Sequence, residues 1–135
     1  MSKTTLGFIF SGVIYLLIGI TLGGLFFLKP ETRVLNTVHA HLNLVGFVAF
    51  LIFGIAYHIL PRFRGRPLHS ESLAWWQFWL ANIGLAGLLI SMTVSVYQPL
   101  DSLRYIQGAF GALLVLSMYL FAYNMLRTLI PRVET

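Results

Sequence analysis

Cysteine is absent from the 135 residues, and acids are scarce: Asp and Glu together number 4. The first absence excludes disulfides, iron–sulfur clusters and thiolate metal sites. The second matters by position, because Glu31, Glu71, Asp101 and Glu134 all fall outside the long apolar runs. No run therefore carries a carboxylate to pass protons through hydrocarbon. Charge of either sign is thin, at 10% of residues, where a soluble domain carries about a quarter. Hydrophobic residues make up 58% instead, and mean hydropathy is +0.82. This is the composition of an integral membrane protein. Its length allows one helical bundle, residues 1–135, and no separate soluble domain.

Crossing the hydrocarbon takes about 20 apolar residues in a helix. Four runs qualify, over residues 6–28, 38–60, 73–97 and 103–130. Pro30, Pro61 and Pro131 are expected to end the first, second and fourth, and Pro99 with Asp101 to turn the chain after the third. The short connections predict an all-α, up-and-down antiparallel bundle of four transmembrane helices. The first run is too long for a signal-peptide core, so it is expected to be a membrane span with no secretory signal before it.

The net charge of +5 does not indicate nucleic acid, because the basic residues lie between the runs, where they set topology. Lys3, Arg62, Arg64, Arg66, Arg127 and Arg132 fall on one side, and Lys29, Arg33 and Arg104 on the other. The positive-inside rule then places both termini in the cytoplasm, in a bacterial-type inner membrane, with the lipid bilayer as the first partner. The Arg62–Arg66 run is expected to anchor helix ends to anionic headgroups.

With no thiolates, histidine is the main candidate for holding a metal. His39 and His41 stand just inside the outer end of the second run. Two residues apart on a helix point about 200° apart, so one regular helix cannot aim both at one ion. Taking about 100° per residue, His39 shares a face with Asn43, Gly46, Phe50, Phe53, Gly54 and Tyr57. That face offers glycines for close approach and aromatics to flank a flat macrocycle. His41 falls on a β-branched stripe of Val38, Val45, Val48, Ile52, Ile55 and Ile59, suited to lipid or a plain helix contact. His39 is the better ligand candidate. The alternative is that both are interfacial histidines among the headgroups. His58 is roughly 28 Å further along the helix, too far to share a site with His39.

The second run resembles helix II of haem-copper oxidase subunit I. The likeness rests on Thr37-Val38-His39-Ala40, Gly54 fifteen residues past the histidine, Leu60-Pro61 and Arg64-Gly65-Arg66-Pro67. It extends to the nitric oxide reductase branch through His41-Leu42-Asn43-Leu44, and the H-A-H run is similar to the opening of the NnrS family of membrane haem proteins. The alignments nominate different histidines; the spacing to Gly54 and the helical face favour His39.

The resemblance implies an axial ligand to a low-spin haem near the outer face, with haem b as the cofactor. It implies no copper centre, because the third and fourth runs contain no histidine. The expected role is electron transfer or nitric oxide/oxygen-linked haem sensing, with no catalysis at a binuclear centre. The alternative is a cofactor-free accessory or assembly subunit of a respiratory complex. A second axial ligand would come from His39 of another copy in a homo-oligomer, or from Met92, which lies at a similar depth. Arg33 and Arg104, on the outer side, are the candidate partners of haem propionates. Copper or zinc handling by the H-x-H pair is a weaker reading, because the two side chains diverge.

Among the remaining polar residues, Gln77, Asn82, Gln107 and Asn124 are expected to join helices by hydrogen bonds. Trp75, Trp76 and Trp79 are expected at the membrane interface. Gly84, Gly87, Gly108 and Gly111 suggest close helix packing, or room for a haem or another chain.

Overall fold

The computed structural model describes residues 1–130; the helix stop expected at Pro131 and the charge of Arg132 lie outside them. Among the described residues, four helices are long and apolar enough to cross a membrane: α1 (Lys3–Leu28), α2 (Pro30–Phe63), α3 (Glu71–Tyr97) and α4 (Asp101–Leu129). Only residue 29, residues 64–70 and residues 98–100 connect them, so neighbours in sequence run antiparallel. The protein is an all-α, multi-pass membrane bundle.

The second helix differs most from expectation. Pro30 does not separate it from a loop but opens a 3₁₀ segment, Pro30–Leu35. Proline suits that first position, where its missing N–H would have no partner anyway. The helical backbone continues as α over Asn36–His41, π over Leu42–Ala49 and α again over Phe50–Phe63. In the π segment each N–H bonds five residues back, so side chains advance by less than the α-helical angle. Faces drawn at 100° per residue drift beyond His41.

Pro61 does not end α2 either. It lies within the last turn, where few bonds remain to lose, and the helix runs on to Phe63. The stop is Gly65, whose φ of +61° is open to glycine at little cost. Gly65 N–H donates to Arg62 O and Arg66 N–H to Pro61 O, each at 3.0 Å, which closes a Schellman turn.

Lipid tails are as apolar as leucine, so close packing rather than water exclusion holds such helices together. Phe8 of α1 is the hub. Fully buried, it sets its ring edge-on to Phe50 of α2 at 5.2 Å and to Phe78 of α3 at 5.1 Å. Glycines let the backbones meet around it. A Cβ on Gly46 would fall 2.7 Å from the Tyr15 side chain, and one on Gly54 would fall 3.2 Å from the Thr5 carbonyl. Between α3 and α4, a Cβ on Gly84 would stand 2.8 Å from Leu114 N, and Gly87 seats the Phe110 ring. A Cβ on Gly108 or Gly111 would meet nothing within 4 Å, so they do not serve packing among the described residues.

The intramembrane amides divide. Asn124 of α4, fully buried, clamps the start of α3: its Nδ2 donates to Ser70 O at 2.8 Å and its Oδ1 accepts from Ser70 N–H at 3.1 Å. Ser70 in turn caps α3 by accepting from Leu73 N–H. Gln107 Nε2 donates to Ser91 O at 3.3 Å, joining α4 to α3. Tyr57 of α2 donates to Gln77 Oε1 of α3 at 3.3 Å, while Gln77 Nε2 is buried without a partner among the described residues. Asn82 joins nothing, since its amide bonds the Phe78 carbonyl of its own helix. The three tryptophans stand exposed at the start of α3.

Candidate functional site

Where α1 ends and α2 begins, the two helices leave a groove of about 680 Å³. His39 lies on its α2 side and is half-buried. Its Nδ1 is 2.9 Å from the carbonyl oxygen of Gly19 on α1. A carbonyl only accepts, so Nδ1 carries a proton, and in the neutral ring Nε2 is then the nitrogen with the lone pair. Asn43 Nδ2, 3.3 Å from Nδ1, is a second donor and makes no bond there; it donates to the His39 carbonyl at 2.8 Å.

Two glycines of α1 make this placement possible. A Cβ on Gly23 would fall 2.7 Å from His39 Cε1, and one on Gly19 would fall 2.7 Å from the Asn43 amide. Phe26 closes one side, its ring 5.3 Å from the imidazole at an interplanar angle of 62°. Arg33, from the 3₁₀ segment, lines the rim with Asn36. The groove thus combines an imidazole with a free Nε2 and an oriented Nδ1–H, apolar and aromatic walls, and one guanidinium at its mouth. Its volume lies within the roughly 300–1,000 Å³ usual for ligand pockets.

The other candidate residues lie elsewhere. Gly46, Phe50 and Gly54 do face α1, but Tyr15, Phe8 and Thr5 of that helix already fill the space against them. They form the seam below the groove rather than its wall. His41 Nδ1 donates to the Thr37 carbonyl one turn back on its own helix at 2.9 Å, which leaves its Nε2 free as well. The stripe below it is largely open to lipid, with Val48, Ile52 and Ile55 all exposed, although Val38 is buried. Met92 packs against the core and does not line the groove. Arg104 turns to its neighbour Tyr105, with its guanidinium 5.0 Å from the ring centre and 3.1 Å from the hydroxyl. The groove brings together His39 and Arg33 alone of that set, with Asn43 bracing the histidine. His58 accepts from Arg62 at the opposite end of α2.

Sequence reasoning missed the α1 contribution: Gly19, Gly23, Phe26 and Phe27. The signal available was the spacing of Gly12, Gly19 and Gly23, which recur at seven and four residues and mark one face of α1. Among the described residues no group of three or more His, Cys, Asp or Glu is gathered to hold a bare metal ion.

Comparison with known proteins agrees with the helix II likeness. Residues 3–135 match the family described as Cytochrome C and Quinol oxidase polypeptide I. Cytochrome c oxidase subunit 1 of Rhodobacter capsulatus is 27% identical, with 72% of this chain and 23% of the relative aligned. The Cbb3-type cytochrome c oxidase subunit CcoN1 of Stutzerimonas stutzeri is 31% identical over 67% of this chain and 24% of its own length. Quinol oxidase subunit 1 of Sulfolobus acidocaldarius is 39% identical over a shorter stretch, 34% of this chain and 9% of the relative. The chain spans about a quarter of the length of the first two relatives. No solved structure matches it significantly. A bundle whose second helix carries the His39 motif, matched over nearly every residue, belongs to the subunit I family of cytochrome c and quinol oxidases.

Proposed function

We propose that this protein binds haem b in the membrane through His39 Nε2, corresponding to the low-spin haem half-site of subunit I, and serves electron transfer or gas-linked haem sensing. The observation that carries the reading is the His39 Nδ1–H···O=C Gly19 bond at 2.9 Å beside an open groove. Haem-ligating and metal-ligating histidines present one nitrogen to the metal while the other donates to a carbonyl or carboxylate, which fixes the ring and raises its basicity. The residues present fit a haem. His39 would ligate the iron, Arg33 would pair with a propionate, and Phe26 would pack edge-on near the ligating ring. Bound haem supplies reversible one-electron chemistry and, where a coordination position stays open, a site for a diatomic gas.

Met92 stands away from the groove, which leaves His39 of a second copy as the favoured second axial ligand. A twofold pairing places equivalent residues opposite each other, and the groove opens at the bundle surface. We read the chain as a single domain in a bacterial inner membrane, with both termini and the Arg62–Arg66 loop in the cytoplasm and the groove near the outer face.

One observation favours a second reading, a cofactor-free accessory subunit of a respiratory complex. The contact of His39 with Gly19 also satisfies a histidine whose whole task is to join two helices.

The deciding experiment is an oxidised and dithionite-reduced visible spectrum, with a pyridine haemochrome, of protein expressed with added haem. Sharp reduced α and β bands at half or one haem per chain are expected, lost in His39→Ala and kept in His41→Ala. A preparation without a Soret band would leave the accessory reading standing. Loss in His41→Ala alone would move the ligand to the other histidine.

A further inference from the structure

The end of the bundle opposite His39 carries a second groove, of about 440 Å³, with different chemistry. It lies where α1 begins, α2 ends and α3 begins. Arg62 and Arg66 line it together with Ser2, Thr5, His58 and Glu71. Arg62 Nη1 donates to His58 Nε2 at 2.7 Å. A guanidinium has no acceptor, so the ring nitrogen there is unprotonated, and Arg62 is held in place by a partner that does not cancel its charge. Arg66 is positioned by the backbone: its N–H closes the Schellman turn onto Pro61 O, at the glycine that ends α2. The first turn of α1, also on the wall, adds the positive end of a helix dipole.

The charges in the wall do not balance. Two guanidiniums face one carboxylate, Glu71, so the side chains leave a net positive charge, to which the amino group of Met1, also on the wall and close enough to act on His58, adds. Its level follows from composition: the apolar run of α2 gives way to Arg62, Arg64 and Arg66, and such residues favour the headgroup region over hydrocarbon. Arginine pairs with phosphate oxygens through parallel N–H bonds, and Ser2 adds a hydroxyl. We propose that this groove is a specific site for the phosphodiester headgroup of an anionic phospholipid carrying one negative charge, of the phosphatidylglycerol type. Arg62 and Arg66 grip the phosphate, and Pro61, Pro67 and Leu68 flank the glycerol end. The proposal does not depend on His39 or on haem.

Arg64 supplies an internal control. It carries the same charge, lies two residues from each gripping arginine and is exposed as they are, but alone of the three it does not line the groove. General attraction of a basic loop to an acidic surface would weigh all three alike; a built site would not.

The test is a titration of phosphatidylglycerol into purified protein in neutral detergent, with the thermal unfolding midpoint followed and helicity checked by far-UV circular dichroism. Wild-type protein should be stabilised saturably, and Arg64→Gln should follow the same curve. In the Arg62→Gln/Arg66→Gln double variant half-saturation should move up at least tenfold. Glu71→Gln, which removes the opposing carboxylate, should move it down. An equal loss in Arg64→Gln would reduce the effect to general charge attraction and overturn the proposal. So would an undiminished response in the double variant, an equal response to phosphatidylcholine, or the same stabilisation from inorganic phosphate alone.

Discussion

Gly23 allows the orientation of His39 to be tested without touching the imidazole. In Gly23→Ala the new Cβ would lie 2.7 Å from His39 Cε1, closer than real Cβ atoms approach carbon. The α1 backbone is fixed by its own hydrogen bonds, so the ring has to turn, and the 2.9 Å bond from Nδ1 to Gly19 O is stretched or lost. Side-chain hydrogen bonds between membrane helices average about 0.6 kcal/mol, with a maximum near 1.7. Loss of the partner that orients a ligating histidine lowers affinity by about 10–100-fold. Alanine is also the better helix former by roughly 0.5–1 kcal/mol, so the fold itself should hold or gain slightly. The expected result is a split: haem affinity down about tenfold or more, with an unfolding midpoint at or above that of wild type. Haem titration followed at the Soret band reads the first quantity, and thermal unfolding of the haem-free protein in detergent reads the second. Gly24→Ala is the control, because its Cβ would meet nothing within 4 Å. Wild-type haem binding by Gly23→Ala, or an equal loss in Gly24→Ala, would refute the reasoning.

Two further substitutions probe the scaffold. Asn124→Leu removes both bonds to the Ser70 backbone and strands a part-buried N–H; it should destabilise the bundle by about 1–3 kcal/mol in detergent-to-SDS unfolding. Asn82→Leu, which loses a bond only to its own helix, should stay within about 0.5 kcal/mol of wild type. Gly84→Leu drives a side chain into the α4 backbone at Leu114 and should cost about 1–3 kcal/mol or more in the same assay. Gly111→Leu, on an open face, should cost little in the isolated chain, and a large loss there would mean that the face is covered in the purified protein.

The helix count and the all-α class were legible because hydrocarbon demands internal satisfaction of every backbone bond over some 20 residues, and that demand is written in composition. Boundaries were less legible at prolines. Pro30 read as the stop of the first helix, which does end at Leu28, but not as the start of the next; Pro61 read as a stop and lies inside the last turn, and one residue's context does not reveal its turn. The π segment over Leu42–Ala49 was invisible, since nothing in its composition distinguishes it from α-helix. Gly46, Phe50 and Gly54 nevertheless turn to α1 as His39 does; what the angular reading could not show is that Tyr15, Phe8 and Thr5 of α1 fill the space against them.

From the sequence by itself came the membrane, the four crossings, the absence of thiolate chemistry and the nomination of His39, because these depend on what each residue is and on the solvent it must face. The tertiary structure alone decided which helix His39 meets, that a carbonyl of α1 sets its tautomer, and that Arg33 shares its groove while Met92 and Arg104 do not. Those facts depend on how one helix is rotated and shifted against another. Packing between helices sets that rotation, at glycines whose role appears only when the opposing backbone is in place.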